Sequence, residues 1–580
     1  MKILVVQLLR IGDLILSAPV LAEIREKFPD ARIDLLVNRG CRPMADMLSG
    51  ISQIHEFDRE ALQRGLGEVS VPVFESYARL DGLIDEINSQ SYDVAINLTH
   101  NRLSGWLMGL IAAKKKLGLS LDGHGRASFG NCWFKYLNDQ VDFDSREVFH
   151  YADVFRLALG FDETKVYTQF GIAETAGGRA EVERFFAENS DFASAEGLIS
   201  IQALTSDTKK NWQLSSFSTV MQQLVRTYPK VGFVVLGSPS ERDSLVSFVN
   251  GLKANGVLIE LGIFSLAGAF SFLKKCRLLL TGDTSIKHLA SAAKTRVVEL
   301  SLGSSDLFRT GTFLHGSVIL QPKVACSPCS HSKSCHRPSH ECGLGLPQEL
   351  VTAVVSEVYS GRSFQLKNLA EEYKDRVEIY LAQTRNLSLW SAVLVNEELS
   401  ESNVARWLNL TVQKLRLEAI GQSDKQVSLM SSRGHQLSQR GTELRQLEGL
   451  FKSVFPGVST IEWRHLLSDF ERQATLVEGR LNSFKVGLQY LRSCYEDAKK
   501  MRDFIRGLIA FREKIRHFPL LRPFRLSLDQ VIEDDISPGF TRIRKMTGLI
   551  DEIEVRTELS LRLIRGLLVT VENESELENP

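Results

Sequence analysis

Along the first 360 or so residues, short apolar runs alternate with stretches whose apolar positions recur every three or four residues. The runs are Lys2 to Leu8, Arg32 to Val37, Val94 to Leu98, Leu198 to Gln202, Val231 to Gly237, Arg277 to Gly282 and Val297 to Gly303. They are nearly continuous in Val, Ile and Leu, as expected of parallel strands covered by helices on both faces. They form two groups, parted by the Gly- and Ala-rich stretch Ala173 to Gly178. The pattern is α/β and predicts two doubly wound domains, residues 1–172 and 173–360, facing each other across a cleft. In such sheets ligands bind beyond the carboxyl ends of the strands, so the loops after the runs are where chemistry is expected.

From about Ser363 the strand-like runs vanish and Leu, Glu, Lys, Arg and Gln dominate. Segments such as LRQLEGLFKSVF and VEGRLNSFKVGLQYLRSCYEDAKKMRDFI carry apolar residues at helical spacing. Residues 361–580 therefore read as an all-α helical domain, with breaks near Pro456, Pro519, Pro523 and Pro538. Within it, Ala498 to Arg525 is basic and Phe-rich. Two readings stay open: a bundle helix with its phenylalanines inside, or peripheral contact with an anionic membrane surface. Self-association through this extension is a third, although no sustained heptads support it.

Composition narrows the class. At 580 residues, with 43% hydrophobic and 24% charged positions, the chain suits a soluble protein of about three or four domains. That composition excludes collagen-like, disordered and disulfide-scaffold chains. Seventy basic and seventy acidic residues cancel, so there is no global case for a nucleic-acid partner. No apolar run reaches the roughly 18 residues of a membrane span. The N-terminal stretch imitates a secretion signal, but Arg10 and Asp13 interrupt it and Gly12 reads as a strand-to-helix turn. A cytoplasmic location is expected.

Three loops carry candidate chemistry. The first, LRIGDL, places Gly12 and Asp13 just after the opening strand, where Asp13 is either a helix cap or a carboxylate in the cleft. The second, QALTSDTKKNW, offers the hydroxyls of Thr205 and Ser206 and the cations Lys209 and Lys210 ahead of a helix. Those are the parts of a phosphate site, or else a solvated basic loop. The third, LLLTGDTSIKHLASAA, ends a strand at Gly282 and opens a helix through Asp283, Thr284 and Ser285, with Lys287 and His288 following. Backbone N–H groups in that first turn can hold a pyrophosphate with the help of the helix dipole.

Together, MKILVVQLLRIGDLILSAPVL, the K-x-W of Lys210 to Trp212, GSPSE at Gly237 to Glu241, GDTSIKHLASAA and GSSDLFRTG resemble glycosyltransferase family 9, the heptosyltransferases. The five motifs fall in order across residues 1 to about 360. The resemblance implies the GT-B fold of two Rossmann-like domains, the first on the acceptor side and the second binding the nucleotide-sugar. It implies an inverting glycosyltransferase that moves a heptose or related sugar, from ADP-heptose, to a lipopolysaccharide core or another envelope glycan or glycolipid. Asp13 matches the catalytic base, and Lys210 a catalytic and donor-binding cation. Gly12, Thr205, Ser206, Glu241, Asp283, Thr284, Ser285 and His288 match the donor site, with Glu241 on the ribose hydroxyls. Ser285 stands where the family has glycine, and Lys287 where it has a small hydroxyl residue. No cofactor is implied for catalysis. Transfer to a protein hydroxyl, a nucleotide-sugar epimerase and a non-catalytic nucleotide-sugar-binding scaffold are the alternatives.

Four of the eight cysteines, Cys326, Cys329, Cys335 and Cys342, cluster within residues 326–342. C-x2-C followed by two further thiols is suitable spacing for a structural Zn or Fe ion. Free thiols in a packed knob and disulfides are the other readings. The insertion also resembles the iron-binding finger of some family 9 members. The remaining Cys41, Cys132, Cys276 and Cys494 read as small core residues.

Overall fold

The computed structural model describes residues 1–62, 73–139, 148–161, 171–329, 339–361, 365–384, 390–395 and 464–475, with isolated positions elsewhere. Two compact units divide the chain. The first holds residues 1–138 and 150–396, and the second most of the chain beyond 397.

In the first unit, the strands β1 (Lys2–Gln7), β2 (Arg32–Asn38), β3 (Gln53–Phe57), β4 (Tyr92–Asn97) and β5 (Ala113–Leu117) form a parallel sheet in the order β3-β2-β1-β4-β5. Its central strand β1 is the opening apolar run, with Val5 opposite Leu35 on one side and Ile96 on the other. Residues 3–7 of β1 are all buried, which is what a strand covered on both faces requires. A short antiparallel hairpin, β6 (Ser120–Leu121) and β7 (Ala127–Ser128), follows.

The second sheet contains β8 (Gly197–Gln202), β9 (Val231–Leu236), β10 (Ile259–Gly262), β11 (Leu278–Gly282), β12 (Arg296–Leu300), β13 (Val318–Pro322), β14 (Val377–Thr384) and β15 (Trp390–Leu394). Their order is β10-β9-β8-β11-β12-β13-β14-β15. Strand order reverses beside β1 in the first sheet and beside β8 in the second, so both switch points open on the loops that the motifs occupy.

The two α/β halves meet along helices. Helix Ile11–Lys27, directly after β1, packs on Ser285–Ala292, directly after β11. A buried ion pair steadies the first half: Arg156, on helix Tyr151–Leu159, donates to both carboxylate oxygens of Glu23 at 2.9 and 2.8 Å.

All seven apolar runs are strands. The sheets also extend beyond them, through β3, β5, β10 and β13, and β14 and β15 add an antiparallel edge from residues that composition had assigned to the helical extension. In β14, VEIYLAQT buries Val377, Ile379, Tyr380 and Ala382 against the sheet and its flanking helices. Farther on, residues 464–475 are helical and bury Leu467, Phe470 and Ala474, the three- and four-residue spacing expected there. Of Ala498 to Arg525 only positions 506 and 510 are described, both helical and exposed, and Cys494 lies outside the described residues. Among the described residues no helix is long and apolar enough to cross a membrane.

Candidate active site

Gly12 and Asp13 open helix Ile11–Lys27 at the carboxyl end of β1. Asp13 is partly buried, and one of its oxygens accepts the Arg10 backbone N–H at 3.1 Å, so the carboxylate does cap its helix. Burial pushes its carboxyl above the ordinary range, against the lowering effect of the Arg10 N–H, and the negative charge of Asp283 pushes it further. A raised carboxyl pKa brings the group toward the range of a useful general base.

The loop after β8 folds back on itself. Asp207 accepts the Lys209 N–H at 3.1 Å and the Ser304 hydroxyl at 2.9 Å, and the Thr205 hydroxyl donates to the Asp207 carbonyl at 2.7 Å. This turn drives Lys210 inward until it is 8% exposed. Its Nζ lies 2.5 Å from Asp283 Oδ2 at the end of β11. Gly282 makes that approach feasible, because a Cβ there would lie 3.1 Å from the Lys210 carbonyl and 3.2 Å from Thr205 Cγ2.

Asp283 also receives Lys287 Nζ at 2.6 Å. Burial alone would raise its carboxyl, but Lys287 and Lys210 outweigh burial and hold it well below the usual carboxylate range. Thr284 caps helix Ser285–Ala292 through its backbone conformation, and its hydroxyl lies 3.2 Å from that of Thr281. His288 is buried, stacked on Phe313, with no hydrogen-bond partner at Nδ1 among the described residues. Burial, with Lys287 beside it, keeps the ring neutral well below its ordinary pKa.

The structure thus brings Gly12, Asp13, Thr205, Lys210, Asp283, Ser285 and His288 together at one seam. A Cβ on Gly12 would lie 3.2 Å from His288 Cδ2 and 3.8 Å from Ser285 Cα. Ser206 is exposed on the rim of its loop. Glu241 stands apart at the end of β9, where its carboxylate accepts the backbone N–H and hydroxyl of Ser238 at 2.7 and 2.8 Å. That capping box occupies one of its oxygens.

Further residues belong to this neighbourhood without having been singled out in the sequence. Tyr151, whose ring stands 5.3 Å from that of His100, hydrogen-bonds to Arg309, and its hydroxyl feels the charge of Asp13. Burial, with Arg309 nearby, lowers the His100 ring to about 4. Glu299, within β12, receives Lys287 at 2.6 Å. Its signal in the sequence was a lone carboxylate in an otherwise apolar run.

Cys326, Cys329, Cys335 and Cys342 line one small pocket with His340 and Lys209. His340 Nε2 donates to the Lys209 carbonyl at 2.7 Å and lies 3.2 Å from Cys342 Sγ. Burial pushes the Cys329 and Cys342 thiols up. The donor chemistry suits a soft or borderline metal, yet among the described residues no three Cys, His, Asp or Glu side chains converge closely enough to grip an ion. The seven described cysteines, these four among them, are free thiols. His331 and His336 lie outside the described residues.

The sequence pattern of glycosyltransferase family 9 (heptosyltransferase) matches residues 82–340. The chain is 24% identical to lipopolysaccharide heptosyltransferase 3 of Escherichia coli over 299 residues, which is 51% of this chain and 81% of that protein. Among solved structures, a family 9 glycosyl transferase from Veillonella parvula superposes with a TM-score of 0.47 at 18% identity, covering 62% of this chain and 97% of that one. The ADP-heptose LPS heptosyltransferase II of E. coli gives 0.46 at 15% identity, covering 62% and 99%.

Proposed function

Given that the chain carries a glycosyltransferase family 9 domain and is a heptosyltransferase-like glycosyltransferase, we propose that it moves a heptose from ADP-heptose to a lipopolysaccharide core by a single inverting displacement. The observation that carries this reading is the packing of the helices that follow β1 and β11, which sets Asp13 within electrostatic reach of Asp283, the partner of Lys210.

The reaction needs a base on the acceptor and positive charge on the leaving group. Asp13 takes the acceptor hydroxyl's proton as the bond to the anomeric carbon forms, and its raised pKa improves it as a base. Lys210 neutralises the departing diphosphate, with the start of helix Ser285–Ala292 supplying backbone N–H groups. Thr205, Thr284 and Ser285 surround the phosphates, Glu241 takes the ribose, and neutral His288 packs behind the loop. A side chain at Ser285 narrows the backbone approach that glycine would leave open. No step requires a metal. The enzyme works in the cytoplasm and meets its glycolipid acceptor at the inner membrane surface.

The thiol pocket takes a structural Zn or Fe ion once its ligands draw together. Four thiols on one pocket beside the Lys209 carbonyl support that reading.

The test is product mass. Purified protein is offered ADP-heptose and other nucleotide-sugars with heptose-deficient lipopolysaccharide. Addition of one heptose from ADP-heptose is expected, with inverted anomeric configuration by NMR. A preference for another donor, or retention, overturns the proposal.

A further inference from the structure

The buried charges around Asp283 form a chain. Lys210 Nζ meets Asp283 Oδ2 at 2.5 Å, Lys287 Nζ meets Asp283 Oδ1 at 2.6 Å, and the same Nζ meets Glu299 Oε1 at 2.6 Å. Glu299 is fixed at the far end by the Thr312 backbone N–H, which donates to Oε2 at 2.7 Å. Two cations and two anions alternate, so the set is neutral. The inner pair is the more enclosed: the side chains of Lys210 and Asp283 are 9% and 12% exposed, those of Lys287 and Glu299 1% and 0%.

Lys210 is the cation assigned above to the leaving diphosphate, yet here it is committed to Asp283. A buried carboxylate with one lysine partner holds that lysine strongly, because losing it leaves a bare buried charge. With a small residue at 287, Lys210 would be that one lysine. Lys287 changes the balance, since Asp283 keeps a bonded ammonium, shared with Glu299, when Lys210 departs. Resting on the transfer reading, we propose that Lys287, backed by Glu299, is a positioning residue that frees Lys210 to exchange Asp283 for the donor diphosphate. Lys287 is enclosed and acts through Asp283 rather than on the phosphate itself.

The test is a cycle on the full chain, with binding of inorganic pyrophosphate measured by calorimetry. K287M/E299Q removes the relay without stranding a charge. In the otherwise wild-type chain it should weaken pyrophosphate binding about tenfold, a coupling of ordinary size for contacting residues. In a D283N background, where Lys210 has no carboxylate to leave, the same change should alter binding less than about threefold. Lys287→Arg, which keeps the charge, should bind within about threefold of wild type. Should K287M/E299Q fail to fold, K287Q/E299Q is put through the same cycle, since it keeps hydrogen-bonding capacity and strands no charge.

Equal losses in both backgrounds would mean that Lys287 acts through its own charge or through the fold, and would overturn the inference. Wild-type binding unmoved by the change at 287 overturns it while leaving the transfer reading intact. Wild-type protein that binds neither pyrophosphate nor ADP, UDP or GDP overturns both.

Discussion

Gly12 lies directly against the His288 ring, so that a single methyl group added at position 12 would stand 3.2 Å from Cδ2. One residue opens the helix after β1 and the other lies within the helix after β11, so this contact fixes how closely the two candidate loops approach.

Gly12→Ala should therefore force these helices apart. His288 is buried and stacked on Phe313, with little room to move. A loss of about 1–3 kcal/mol is expected from overpacking. Gly40→Ala is the control, since nothing lies within 4 Å of a Cβ there, and it should stay within about 0.5 kcal/mol of wild type. Urea unfolding of the two variants checks both values.

Asp13 and Asp283 should respond to pH with opposite sign. The Asp13 carboxyl is raised in the folded protein, first by burial, so its ionisation works against the fold. Its contribution is full below the unfolded value of about 3.9 and is lost as pH rises through the folded value. Asp13→Asn should thus gain stability relative to wild type as pH rises above about 4. Asp283 is held low by Lys287 and Lys210, which overcome its burial, so its contribution is present above about 3.9 and lost as pH falls through the folded value. Asp283→Asn should cost stability at neutral pH, with the deficit shrinking in acid. Denaturation midpoints from about pH 2 to pH 7 measure both trends.

The Arg156–Glu23 pair should behave as a buried ion pair. The two side chains are 6% and 7% exposed. Glu23→Leu removes both bonds that Arg156 makes to this carboxylate and should cost about 3–5 kcal/mol, whereas Glu23→Leu with Arg156→Met should recover most of that loss. A calorimetric double-mutant cycle reads the coupling.

The thiol pocket gives a prediction that does not depend on activity. Protein purified without chelator should carry about one Zn or Fe per chain by elemental analysis, and Cys342→Ser should lower that content. A metal-free chain with four titratable thiols would favour the packed-knob reading.

The central strands were legible because burial on both faces demands unbroken apolar runs, as in Leu198 to Gln202 and Val231 to Leu236. The outer strands were not. β5 reads AKKKL, with only Leu117 fully buried, and a sheet edge tolerates such polarity because one side faces solvent. β14 was hidden differently: its Glu378 and Gln383 interrupt the apolar positions within a region of helical composition. The loops of the site were legible from Gly12, Asp13, Lys210 and Asp283, since strand-end position carries the signal. The Lys287–Glu299 contact was not, because it joins residues on neighbouring elements. Parallel pairing of β11 with β12 sets Thr281 opposite Glu299, and only that register brings the carboxylate under the Asp283 loop.

The most direct test of the transfer account is nucleotide release from ADP-heptose, with and without heptose-deficient lipopolysaccharide, for wild type beside Asp13→Asn. The variant keeps an oxygen that can accept the Arg10 N–H, so helix capping and donor binding should survive. The account predicts release that requires the acceptor and falls about 10²–10⁴-fold in Asp13→Asn, with ADP affinity unchanged. Acceptor-independent release, or equal rates in the two proteins, would contradict it.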